Sequence, residues 1–140
     1  MQLNILTPYQ RLGGEPKIHE LVNRFYELMD TLPEAQTIRA MHERDLSAVK
    51  QVLFDFLSGW LGGPNFYVEK YGHPRLRARH LPFAIGERER DEWLLCMYQA
   101  MRDIGLSEEL QKELQLSFSE RLIFYGTKKK SAIHKLIVNT

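Results

Sequence analysis

The chain has 140 residues, with nineteen Lys or Arg against eighteen Asp or Glu and a formal charge of +1 when histidine is neutral. That length suits one domain around a single core, and the even charge balance argues against a general nucleic-acid footprint. Cys96 is the single cysteine, which excludes an intrachain disulfide and a zinc site built on cysteines.

The opening residues MQLNILTPYQ lack the basic region and long apolar run of a signal peptide. No apolar stretch approaches the roughly 18 residues a membrane span needs. The expectation is a soluble, cytoplasmic protein with no membrane span. Ile18, Leu21, Val22, Phe25 and Leu28 recur at three- and four-residue steps and predict a helix. Pro16 suits its first turn, and Pro33 marks its exit. A second helix is predicted from about Asp45, a candidate N-cap. Its stripe is Leu46, Val49, Leu53, Phe56, Leu57 and Trp60, and Gly62-Gly63-Pro64 closes it. The run NFYVEKYGHP, from Asn65 to Pro74, reads as a long aromatic loop leading to a short helix from about Pro74 to His80.

A further long helix is expected from about Glu87 to Ile104. Trp93, Leu94, Met97, Met101 and Ile104 form its apolar face, and Gly105 is its C-cap. Ser107 opens the last helix, whose acidic first turn complements the helix dipole. Leu110, Leu114, Phe118 and Leu122 continue it to an expected end near Gly126. Strand alternation and repeats are not evident. The predicted class is all-α, with four long helices, short pieces and one long loop of a kind that is often functional.

None of the five histidines forms HExxH or another spacing that clamps zinc on one helix. Cys96 on an apolar helical face reads as a buried, inert thiol. The pairs Gly13-Gly14 and Gly62-Gly63 lack the Lys-Ser/Thr of a phosphate loop and read as helix punctuation. Lys128-Lys129-Lys130 reads as a solvated tail, with a phosphate or membrane contact as the alternative. A haem needs one axial histidine, an apolar slot and cations for its propionates. The stretch GHPRLRARHLPFAIG, Gly72 to Gly86, supplies His80, then Leu81, Pro82 and Phe83, with Arg75, Arg77 and Arg79 before it. A satisfied structural histidine among solvated arginines is the plainer reading of the same residues.

Three pieces carry a more specific signal: FYELM (Phe25 to Met29), FLSGWLGGPNFYVEKYGHPRLRARHLPF (Phe56 to Phe83) and ERDEWLLCM (Glu89 to Met97). In order and spacing they resemble the truncated haemoglobins, specifically group II. The resemblance covers about residues 10 to 125 of a single domain spanning 1–140, leaving 126–140 as a C-terminal extension. It implies a two-over-two helical sandwich around haem b and its iron. By position, His80 matches the proximal ligand, Tyr26 the distal tyrosine and Trp93 the tryptophan that marks group II. His42 matches a position where relatives carry Phe, Tyr or His. Val49 and Leu53 match the two distal-helix positions that face the iron. Both are apolar where some relatives have polar residues, which leaves the polar work to Tyr26, His42 and Trp93. Phe25, Leu53, Phe56, Leu76, Phe83 and Met97 would wall the pocket, and Arg77 and Arg79 would meet the propionates. Each distal residue also has a plainer reading: Tyr26 and Trp93 as core, His42 as an exposed side chain.

The resemblance implies reversible binding of O₂, CO and NO. Hydroxyl and ring N–H groups are donors to bound O₂, and several of them would slow its loss. That favours O₂ chemistry or sensing over bulk oxygen transport. The alternative is an NO dioxygenase or a peroxidase acting on peroxide. With no flavin or NAD fingerprint in the chain, such a cycle needs an external reductase. A haem-free helical interaction module is the third possibility. Monomer and homodimer both fit.

Overall fold

The computed structural model describes residues 6–71 and 87–128, with side chains as far as 118. Seven α-helices are present among them: α1 Pro8–Leu12, α2 Glu15–Thr31, α3 Gln36–Ala40, α4 Ser47–Trp60, α5 Phe66–Tyr71, α6 Glu87–Asp103 and α7 Glu108–Lys128. A 3₁₀ turn, Pro33–Ala35, joins α2 to α3. There is no strand among the described residues.

Helix α2 forms as the periodicity predicts. Ile18, Leu21, Val22, Phe25, Tyr26, Leu28 and Met29 are all buried on it. Each large apolar side chain so buried contributes about 1.5–3 kcal/mol, far more than intrinsic helix propensity supplies. Helix α7 opens as expected, with the Leu110 N–H donating to the Ser107 hydroxyl at 3.2 Å. Gly105 takes φ +80° just past α6, the left-handed conformation that glycine adopts without a Cβ penalty.

Three local expectations are corrected. Helix α4 begins at Ser47 rather than Asp45. Asp45 instead stands outside the helix and accepts from the Ser47 N–H at 2.9 Å, a local Asx-type turn. The aromatic stretch after Asn65 is not all loop, because α5 occupies Phe66–Tyr71. Six residues cannot sustain a helix alone; here Tyr67 packs on Val52 and Phe56, and Lys70 pairs with Asp55 at 2.8 Å. Helix α7 runs through Gly126 to Lys128, since one interior glycine costs only about 1 kcal/mol against alanine. Helix α1, too short to show a period, closes on a capping box between Thr7 and Gln10. It packs where Gly63 lies, and a Cβ on Gly63 would run into the Tyr9 ring. The short helix expected at Pro74–His80 lies outside the described residues.

Helix α2 packs on α4 and α6, and α6 packs on α7. The pair α2–α4 thus meets the pair α6–α7, the two-over-two arrangement that the resemblance implied. One core cluster draws on α1, α2, α3, α4, α6 and α7. Phe25, Tyr26, Leu53, Met97 and Trp93 lie within it.

Candidate functional site

Tyr26 sits on the buried face of α2, 1% exposed. Its ring meets Phe25 edge-on at 4.8 Å between centroids. Phe25 in turn meets Trp93 on α6 at 5.1 Å. On its other side Tyr26 faces His42, with centroids 5.9 Å apart and planes at 75°. Consecutive residues of one helix therefore hold the tyrosine and the phenylalanine between a histidine after α3 and a tryptophan on α6.

The Tyr26 hydroxyl is buried and has no hydrogen-bond partner among the described residues. Leaving such a group unmade costs about 1–3 kcal/mol. Burial also pushes its pKa up from the ordinary tyrosine value. The phenol therefore stays protonated at neutral pH and keeps a hydrogen to donate. Val49 and Leu53 on α4 and Met97 on α6 belong to the same buried cluster.

His42 is also buried, contrary to the exposed alternative. Its Nδ1 lies 2.8 Å from the Ile38 carbonyl oxygen. A carbonyl only accepts, so Nδ1 carries the hydrogen. In the neutral ring Nε2 then holds the lone pair and accepts. The Ile38 N–H donates to Oε1 of Glu92 at 2.8 Å. Glu92 lies on α6 immediately before Trp93, and its Oε2 is 3.4 Å from Nε of the exposed Arg88. Sequence reading missed Glu92. A carboxylate inside the buried half of a helix is its visible signal, but its partner is a backbone group.

The structure brings together Phe25, Tyr26, His42, Val49, Leu53, Trp93 and Met97. Phe56 is half-buried at the edge, stacked on Trp60 at 6.2 Å and edge-on to Tyr67 at 5.7 Å. The ring buried from that turn of α4 is Phe54, stacked on His19 at 3.9 Å. His80, Leu76, Arg77, Arg79 and Phe83 lie outside the described residues. A haem's distal side fits what is present among the described residues: an orphaned buried hydroxyl and apolar walls.

The model of the bacterial-like globin family matches residues 7–135. Among curated proteins, group 2 truncated haemoglobin YjbI of Bacillus subtilis (strain 168) is 40% identical over 108 residues, covering 77% of this chain and 79% of that one. Among solved structures, the group II 2-on-2 haemoglobin of the plant pathogen Agrobacterium tumefaciens is similar at TM-score 0.78 and 48% identity, covering 89% of this chain and 96% of that one. The truncated oxygen-avid haemoglobin from Bacillus subtilis is similar at TM-score 0.74 and 37% identity, covering 86% of this chain and 98% of that one.

Proposed function

The chain belongs to the bacterial-like globin family, as a truncated haemoglobin of the two-on-two fold, and from that premise we propose that it binds haem b through His80 and holds O₂ reversibly beside Tyr26. Family membership implies haem-based binding of small diatomic ligands. The observation that carries the finer reading is the Tyr26 hydroxyl, protonated, buried and without an acceptor among the described residues. A donor left so at net cost is what a ligand pocket needs and a plain core does not.

When bound, haem would supply an iron whose ligand position takes a diatomic molecule. The chain's own residues do the rest. Tyr26 donates its O–H toward that position, and Trp93 offers its indole N–H from the opposite helix. His42 stands beside the Tyr26 ring, and its Nε2 accepts rather than adding a further donor. Phe25, Val49, Leu53 and Met97 keep bulk water out, which strengthens every polar contact inside. Phe56, Leu76 and Phe83 would extend the apolar wall, and Arg77 and Arg79 would meet the propionates. The similar Bacillus subtilis structure is described as oxygen-avid, which supports retention of O₂ rather than its delivery.

The test is an absorption spectrum of the reduced protein exposed to O₂ and then to NO. A stable oxygenated spectrum that NO alters slowly is expected of a ligand-binding protein. Immediate conversion by NO to the ferric form, with nitrate produced, would replace that reading with NO dioxygenase chemistry fed by an external reductase.

A further inference from the structure

Helix α3 is a five-residue helix, and the first amides of any helix lack partners within it. Ile38, its third residue, donates its N–H to Oε1 of Glu92 across 54 positions of chain. The Ile38 carbonyl, one peptide further on, receives the Nδ1–H of His42. Glu92 is 8% exposed, so its bond to the amide forms in a medium where charge-assisted bonds are strong. The short helix is thereby gripped at its start by a carboxylate from α6 and at its end by an imidazole ring. Without the carboxylate the buried Ile38 amide loses its partner, and the turn that aims the Ile38 carbonyl at the ring loses its tie to α6.

We propose that Glu92 is a positioning residue: by holding the Ile38 turn it fixes His42 as the Nδ1–H tautomer, so that Nε2 is an acceptor and not a further donor to the ligand. The consequence is a pocket in which the single Tyr26 O–H is kept for the ligand, while Nε2 of His42 only accepts, as from a water. With the other tautomer, Nε2 would donate and compete with Tyr26 for the same ligand. The carboxylate thus sets how many donors the pocket contains. The inference rests on the proposed placement of His42 beside the ligand position.

The experiment is long-range ¹H–¹⁵N correlation on the CO-bound ferrous protein, for the wild type, Glu92→Leu and Glu92→Gln, with His42 assigned by its loss in His42→Phe. The wild type is expected to show a protonated Nδ1 and a bare Nε2. Glu92→Leu should populate the Nε2–H tautomer and change the CO or O₂ release rate by roughly two- to twelvefold, the span of one hydrogen bond. Glu92→Gln, which keeps an acceptor, should retain the wild-type tautomer while the Ile38 amide proton moves upfield. A bare Nδ1 in the wild type overturns the proposal. So does a folded Glu92→Leu with the tautomer unchanged. If Glu92→Leu does not fold, an unmoved Ile38 amide in Glu92→Gln overturns it equally. A tautomer that shifts with no change in ligand release upholds Glu92 and removes His42 from the ligand pocket, so the two readings fail separately.

Discussion

Replacing Tyr26 by phenylalanine separates the cost of its hydroxyl from the hydroxyl's use. The ring packs between Phe25 and His42, and Phe keeps that ring. What is lost is a buried O–H with no acceptor among the described residues. Its burial costs about 1–3 kcal/mol while it is unpaired, so ligand-free Tyr26→Phe should unfold at an equal or higher urea concentration than the wild type. The ligand-bound protein behaves oppositely. One donor bond is worth about 0.5–1.5 kcal/mol net, and its loss should speed O₂ release by roughly two- to twelvefold. Urea unfolding of the ligand-free ferrous protein and stopped-flow O₂ displacement by CO measure the two halves. A variant that is clearly less stable, with O₂ release unchanged, would refute the reasoning. It would mean that the hydroxyl serves a protein acceptor and not the ligand.

Three further outcomes follow from the same geometry. Burial raises the Tyr26 pKa, so the folded protein keeps a proton that the unfolded chain releases above about pH 10. That contribution is complete below the unfolded value and is lost as pH rises past it, at about 1.4 kcal/mol per pH unit; the stability gap between wild type and Tyr26→Phe should therefore move in favour of the variant in alkaline urea titrations, and parallel curves would contradict this. The Cys96 thiol is buried and pushed up to about 12, first by desolvation and then by Glu92 and Glu34; a disulfide reagent should label it only as fast as the protein opens, and prompt labelling of the native protein would show otherwise. Lys70→Ala leaves the buried Asp55 carboxylate with the Gln51 side-chain N–H as its one remaining side-chain partner among the described residues; the urea midpoint should fall, and no shift would show that the pair does not hold α5 on α4.

What the sequence made legible was whatever repeats along one helix. The stripe Ile18, Leu21, Val22, Phe25 and Leu28 specifies α2 because burial on one face outweighs local preference. On α4 the same reasoning favoured Phe56, yet the structure buries Phe54 beneath His19 and leaves Phe56 at the edge. Both rings fit a helix of that width, and only the neighbouring helix decides between them. Helix α5 escaped because six residues carry no period and its stability comes from Asp55 and Val52 on another element. Tyr26 and Trp93 drew attention through resemblance alone; as spacing they are ordinary core residues. Glu92 and His42 meet through the backbone of Ile38, and a sequence does not display which amide a distant carboxylate will reach.

The most direct measurement of the central claim is the absorption spectrum of the haem-reconstituted, reduced protein before and after O₂, for the wild type and for His80→Gly. A Soret band that saturates at one haem per chain, shifts reversibly with O₂ and loses its five-coordinate ferrous form in His80→Gly is the expected result. A wild type with no saturable Soret band, or a variant indistinguishable from it, would contradict the account.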